Sequence, residues 1–142
     1  MDEAKLKILS VLERKILWLA CWTIHNANHL RPKTDGLKVG GHQASSASMV
    51  SIMTALYFAV LRPVDRVAVK PHASPVYHAI HYLMCNLTTD TPQAFRAFGG
   101  AQSYPSRTKD MCDVAFSTGS FALGVAFTAV APLVHVSPTP NP

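Results

Sequence analysis

The hydrophobic pattern of the first thirty residues is that of an amphipathic helix. Between residues 3 and 28, apolar positions recur every three or four residues, and the charged side chains lie largely outside that stripe. The stripe consists of Leu6, Leu9, Leu12, Ile16, Leu19 and Thr23. The pattern predicts a helix over residues 3–28, followed by a loop that contains Pro32, Gly36, Gly40 and Gly41.

Four later stretches predict the remaining elements. Residues 44–61 are nearly all apolar or small and lack Gly and Pro, which predicts a buried helix that Ser45 or Ser46 caps. Helices are also predicted over residues 74–86 and 91–99, because each begins with Ser or Thr directly before Pro, and over the apolar residues 121–131.

A short run between these helices predicts a strand. Residues 66–70 (RVAVK) carry two β-branched valines and lie between two predicted helices, and a second short strand is conceivable near Val114. Strands that alternate with helices are typical of a parallel sheet with helices on its faces. We therefore predict a helix-rich α/β fold with an incomplete parallel sheet.

Composition limits the class of protein. Of the 142 residues, 49% are hydrophobic and only 15% are charged, against roughly 25% charged in an average soluble domain, so part of the surface is expected to be covered by other protein. The chain is long enough for one domain, predicted over residues 1–136, with a disordered proline-rich tail over residues 137–142. The net charge of +5 is scattered without a basic stripe, which disfavours nucleic-acid binding.

Cysteine content and hydropathy bear on location. Three cysteines, far apart and without a CxxC pair, indicate a reducing, cytoplasmic setting. Residues 114–134 carry no Asp, Glu, Lys or Arg and are about as long as a membrane span. Polar residues, glycines and a proline interrupt that run, which favours a buried loop and helix over a membrane segment.

Two histidines occupy positions where ligands are often held. His72 lies between the predicted strand and the helix that begins at Ser74, where a helix amino terminus favours an anion. His42 follows two glycines, which permit close backbone approach, and precedes small hydroxyl residues. From spacing alone, a tight turn into a core helix explains His42 slightly better, and a structural hydrogen bond explains His72 equally well.

Other candidate motifs are weaker. The loop STGSFALG (residues 117–124) lacks the lysine of a phosphate loop. Cys21, His25 and His29 share one predicted helix face and His78 and His81 another, but the glutamate of a HExxH site is missing. Histidines that bond to backbone groups explain these residues more simply, and we predict no metal site.

Taken in order, four segments resemble the amino-terminal, diphosphate-binding domain of thiamine diphosphate enzymes of the transketolase superfamily. They are GLKVGGHQASSASM, KPHASPVYHAIHYL, FRAFGGAQSYPSRTKD and FSTGSFALGVAF, and they span roughly residues 18–131. The nearest resemblance is to the homodimeric type of pyruvate dehydrogenase first component. It implies thiamine diphosphate with Mg²⁺ as cofactor, a 2-oxoacid such as pyruvate or a sugar as substrate, and a homodimer as the complete enzyme, with no nucleic-acid or membrane partner.

The same resemblance implies roles for individual residues. His42 matches a catalytic histidine that faces the substrate end of the thiazolium, and His72 matches one near the diphosphate. Gly119 and Ser120 match the loop that approaches the aminopyrimidine. Ser103 and Tyr104 belong to an SYP segment that is similar to the dehydrogenase branch, which favours oxidative decarboxylation of a 2-oxoacid over ketol transfer.

The sequence departs from the family in one respect. The GDG motif that, with a later Asn, holds the metal and the diphosphate does not occur, and neither does the second domain, which supplies the activating glutamate. We therefore expect a fragment of an oxidoreductase that is inactive alone. Three alternatives stay open: a transketolase-type parent enzyme, a non-catalytic module that pairs with a full-length homologue, and a small membrane-associated protein.

Overall fold

A computed structural model gives the fold of the chain and describes residues 2–34, 36–110, 114–117, 119 and 121–136. The α-helices of this part are α1 (Glu3–His25), α2 (Gln43–Ala47), α3 (Val50–Ala55), α4 (Ser74–Leu83), α5 (Asp90–Gln93) and α6 (Phe121–Val136). Short π-helical segments, Asn26–Leu30 and Leu56–Val60, extend α1 and α3, and a 3₁₀ turn, Pro71–Ala73, leads into α4.

The main core forms where α1, α3 and α4 pack together. Ile16 and Ala20 of α1 contact a buried cluster to which α4 contributes most, through Val76, Tyr77 and Ile80. All five side chains are at most 2% exposed. A smaller cluster of Ile24, Ala27, Phe95 and Ala101 joins the end of α1 to the segment after α5. The predicted amphipathic helix is thus confirmed, and α4 lies centrally in the fold.

Helix ends differ from the predicted ones for local reasons. Helix α4 ends at Leu83 because Cys85 adopts a left-handed backbone (φ 60°), and the amides of Cys85 and Asn86 donate to the carbonyls of Tyr82 and His81, which is a Schellman end. The predicted helix over residues 44–61 is broken at residues 48–49. Its predicted caps are wrong: His42 stands at the cap position without a side-chain bond, and Ser46 is fully buried.

The predicted α/β class is wrong. The described residues contain no β-strand, and residues 66–70 run extended without pairing. A strand requires a neighbour to accept and donate its ladder hydrogen bonds, and no described residue pairs with this segment in that way. Val69 is nevertheless buried in the main core, so the apolar pattern identified a buried segment but not a sheet.

The last helix forms where it was predicted, but those of its side chains that the structure describes are exposed or only partly buried. Leu123, Val125 and Val130 of α6 are exposed, Val125 by 70%. The helical stretch that is long and apolar enough to span a membrane is not α6 but an earlier one. By length and composition alone, the helical stretch Gln43–Val60 is the one among the described residues that is apolar enough to cross a membrane. The predicted tail, residues 137–142, lies outside the described residues.

Candidate functional site

The two histidines singled out by the sequence lie side by side. His42 precedes α2 and His72 belongs to the 3₁₀ turn before α4, thirty positions later in the chain. Their ring centroids are 5.3 Å apart, and the ring planes are nearly perpendicular at 81°. His42 is exposed and His72 is partly buried, so solvent reaches this histidine pair at the amino-terminal ends of two helices.

Asn28 fixes the loop that carries His42. Its side-chain amide donates to the carbonyl of Gly40 (2.9 Å) and to that of Ile24 (2.8 Å), while its Oδ1 accepts from the Gly40 amide (3.0 Å). The side chain therefore satisfies both polar groups of the Gly40 backbone, as a neighbouring strand would. The π-helical turn Asn26–Leu30 brings Asn28 to this position.

Arg96 holds the same loop from the opposite segment. Its Nη1 donates to the carbonyl of Val39 (2.7 Å), and its own backbone is left-handed (φ 60°), a conformation that non-glycine residues seldom adopt. Gly40 has a φ of 89°, and a Cβ built on it would lie 2.5 Å from this Nη1. The positive φ favours glycine at this position, and a side chain there would displace the guanidinium of Arg96.

A second loop, residues 101–106, carries Ser103 and Tyr104. The ring Nε2 of His78 donates to the carbonyl of Gln102 (2.7 Å), which ties the loop to α4. The Asp110 carboxylate accepts from the amide of Ser106 (2.6 Å) and, at 3.4 Å, from that of Gln102. Tyr104 projects from this loop and is 54% exposed.

The structure also brings Gly119 to Tyr104. A Cβ built on Gly119 would lie 3.5 Å from the Tyr104 ring, so the two predicted cofactor segments are in contact. Open cavities of about 430 and 380 Å³ flank Tyr104. The first is lined by Val39, Arg96, Ala97, Gln102, Ser103 and Tyr104, and the second by Gln102, Tyr104, Pro105, Ser106, Lys109, Ser117 and Gly119. Ser120, the remaining predicted site residue, lies outside the described residues.

The hydrogen-bond donors and cations at these two loops fit the diphosphate of the implied cofactor better than its metal ion. Two imidazoles at helix amino termini, and the cations of Arg96 and Lys109 at the cavities beside Tyr104, suit a diphosphate. Val39 lines one of these cavities and precedes His42 by three residues, which places the histidine pair and the Tyr104 loop on connected segments. Within the described residues, no three His, Cys, Asp or Glu side chains are grouped so that they could hold a metal ion.

The other histidines have different surroundings. The rings of His25 and His29 lie 4.9 Å apart on one face, as the spacing predicted, and both residues are exposed. His78 and His81 are buried within α4, where His81 packs against Tyr77 with ring centroids 4.3 Å apart. Asn28, Arg96 and His78, which hold the two loops, were missed as site-positioning residues, because their partners are backbone atoms far away in sequence.

The buried His78 is the residue that ties the Tyr104 loop to α4, and its pKa is shifted. Burial lowers the pKa of His78 below its ordinary value of about 6.5, although its bond to Gln102 and the charge of Asp110 partly oppose this. His78 is 1% exposed, and its Nδ1 finds no hydrogen-bond partner among the described residues, so a proton on that nitrogen would gain no hydrogen bond. The neutral ring with its proton on Nε2 is the form that fits the Gln102 carbonyl.

We expect acid to destabilise the fold through this residue. The pKa of His78 is lower in the folded state than in the unfolded one. The stabilisation that neutral His78 contributes is therefore complete above about pH 6.5 and is lost as the pH falls towards the folded-state pKa. Thermal unfolding midpoints between pH 8 and pH 5 measure the loss. His78→Gln keeps a donor without titrating and should flatten the profile, whereas the exposed control His25→Gln should not. Identical profiles for both variants would contradict this assignment.

Comparison with known proteins adds no assignment. No protein-family model matches the chain, and neither a curated protein nor a solved structure matches it significantly. The resemblance to thiamine diphosphate enzymes therefore rests on the motifs themselves and remains a prediction.

Proposed function

We propose that this chain is the amino-terminal part of a cytoplasmic, thiamine diphosphate-dependent enzyme that oxidatively decarboxylates a 2-oxoacid such as pyruvate. The observation that supports it is the contact between His42 and His72. Each histidine was selected by a separate segment of the resemblance. A chance similarity in sequence gives no reason for the two rings to be in contact. The contact of Tyr104 with Gly119 supports the proposal in the same way.

The residues divide the work of holding the cofactor. His72 binds the diphosphate, and His42 exchanges protons at the reacting end. Ser103, Tyr104 and Gly119 form the wall beside the rings of the cofactor, and the resemblance assigns Ser120 to the same wall. When bound, thiamine diphosphate supplies the carbanion chemistry, so that these residues need only orient it, neutralise its charge and manage protons.

The chain alone is proposed to be inactive. The GDG motif is absent from the sequence, and the resemblance assigns the activating carboxylate to a second domain of a homodimer. In the family that the chain resembles, the GDG motif also ligates the magnesium ion. The chain would therefore contribute one wall of a site and bind the cofactor weakly, mainly through its diphosphate.

A non-catalytic module that pairs with a full-length homologue is the competing function. Its support is the apolar surface on two helices: Ile8, Val11 and Trp18 of α1, and Leu123, Val125 and Val130 of α6 are exposed. Exposed apolar patches are typical of protein interfaces. Co-purification with such a homologue favours this function, whereas a monodisperse monomer speaks against it.

Calorimetric titration with two ligands tests the proposed function. In the presence of Mg²⁺, thiamine diphosphate should bind with a Kd of about 0.1–1 mM and thiamine at least tenfold more weakly, because a charge-assisted hydrogen bond contributes about 1.5–3 kcal/mol. His72→Ala should reduce the difference between the ligands, and the matched exposed control His29→Ala should not. Equal affinity for both ligands contradicts the proposed function, and measurable pyruvate decarboxylation by the chain contradicts its proposed inactivity.

A further inference from the structure

A separate cavity opens at the carboxyl end of α4, away from the histidine pair. Its volume is about 340 Å³, and residues from the π-helical segment Leu56–Val60, the extended run that follows, the end of α4 and positions 114–115 line it. Helix α4 has ten residues and is about 15 Å long, with His72 before its first residue and His81 in its last turn. The cavity and the histidine pair are thus at opposite ends of one helix.

The wall of this cavity is aromatic and aliphatic. The Tyr57 ring meets those of Tyr77 and His81 with centroids 6.4 and 5.9 Å apart, in edge-to-face arrangements. Val69 and Val114, both buried, complete the apolar surface. The Nδ1 of His81 lies 3.1 Å from the Asn86 side-chain amide, which fixes the ring orientation. These contacts make a preformed surface against which a flat or branched apolar group can pack.

The charged groups at the rim are Arg62, Asp65 and Arg66, with a formal sum of +1. Arg62 and Asp65 satisfy one another, through Nη2 to Oδ1 (3.0 Å) and the Arg62 amide to Oδ2 (2.8 Å). Those hydrogen bonds hold the pKa of the Asp65 carboxyl below its usual range, so the pair stays ionised at neutral pH. The carboxylate of Asp65 is thus neutralised by Arg62, and the net positive charge at the rim is that of Arg66.

Arg66 is oriented by the turn that precedes it. Its Nη1 donates to the carbonyls of Pro63 (3.3 Å) and Asp65 (3.4 Å). Among the described residues, none accepts from its Nε or Nη2, which form the edge of the guanidinium that pairs with carboxylates through two parallel bonds. A preoriented arginine beside an apolar wall is a common arrangement for binding an organic anion.

We propose that this cavity binds a small carboxylate with a ring-shaped or branched apolar body. The carboxylate pairs with the guanidinium of Arg66, and the body packs against Tyr57, Tyr77 and Val69. Volume agrees with that ligand class, because binding pockets occupy about 300–1,000 Å³ and a cavity of about 150 Å³ already accommodates benzene. This site is independent of the proposed function and would stand if the histidine pair bound nothing.

Benzoate and its neutral isostere benzamide test the site on the whole chain. Amide chemical shifts of the residues lining the cavity should move with benzoate in the millimolar range, and benzamide should bind about tenfold or more weakly, since it lacks the charge that Arg66 recognises. This comparison needs no variant, so a folding defect cannot obscure it.

Variants then assign the anion contact. Arg66→Gln should weaken benzoate binding about tenfold or more and leave benzamide binding unchanged. Arg14→Gln, at an exposed position on α1, is the matched control and should bind benzoate like the original chain. Equal affinity for the two probes, shifts that localise elsewhere, or no effect of Arg66→Gln would each overturn the proposal.

Discussion

Replacement of Gly100 by alanine is expected to destabilise the fold by roughly 3–5 kcal/mol, the largest effect of any single methyl group added to the described glycines. A Cβ at Gly100 would lie 1.8 Å from the carbonyl oxygen of Ala94 and 2.5 Å from its carbonyl carbon. Neither atom can move aside, because they are backbone atoms and the Ala97 amide donates to that same oxygen (2.8 Å). Urea unfolding at neutral pH measures the change.

The neighbouring glycine provides the control. Gly99 has a φ of 74°, but a Cβ there would meet nothing within 4 Å, so Gly99→Ala should lose only about 1 kcal/mol from the left-handed conformation. Since residues 94–101 lead directly into the Tyr104 loop, Gly100→Ala should also change the environment of Tyr104. Equal effects of the two substitutions would show that the close turn around Ala94 is not formed.

Asn28→Ala is expected to lower the free energy of unfolding by about 2–3 kcal/mol. Its side chain makes three hydrogen bonds to the backbone in a partly buried place, and each contributes about 1 kcal/mol net. The loss also releases the Gly40 loop, so the ring contact between His42 and His72 should weaken. Urea unfolding gives the first effect, and cross-relaxation between the two imidazole rings in NMR spectra gives the second.

Asn26→Ala is the matched control for this substitution. Asn26 lies in the same π-helical segment, but its side chain donates one bond, to the carbonyl of Gln93 (2.9 Å). We expect about 0.5–1 kcal/mol from its removal and no effect on the contact between the histidine rings. If the two asparagine variants had the same stability and the same ring contact, Asn28 would not be what holds the loop.

The spacing of apolar residues along the chain predicted the helices, because the buried face of a helix recurs every three or four residues. Ile16 and Thr23 of the predicted stripe are buried and Leu9, Leu12 and Leu19 are partly buried, since an amphipathic helix packs its apolar face against the core, but Leu6 at its start is 49% exposed. Residues 66–70 show the limit of that reasoning. A β-branched run indicates a buried extended segment, but a sheet depends on a partner strand that no local pattern specifies.

Nor did composition predict the surroundings of α6. Its sequence is apolar enough for a buried helix, yet burial requires other elements to cover it, and Val125 remains exposed. The charge content of 15% had already suggested surface that other protein covers. Apolar content therefore predicted the helix, but not which of its faces would be covered.

The candidate site was predicted in part. Four motifs selected His42, His72, Tyr104 and Gly119, and the structure joins them as two contacting pairs. Asn28 and Arg96, which set the geometry of the His42 loop, could not be found this way, because each bonds to backbone groups of a distant segment and any residue type supplies those. A hydrogen bond from a side chain to a backbone group far away in sequence produces no motif that a sequence pattern can show.

The central claim is that the His42 and His72 pair lies against bound thiamine diphosphate, with His72 at the diphosphate and His42 at the reacting end. NMR spectra of the imidazole Cε1–H groups, recorded as the cofactor is added with Mg²⁺, test it most directly. The signals of His42 and His72 should shift with thiamine diphosphate and much less with thiamine, while those of His25 and His29 stay in place. Unchanged His42 and His72 signals at saturating cofactor, or equal shifts for all four histidines, would contradict the claim.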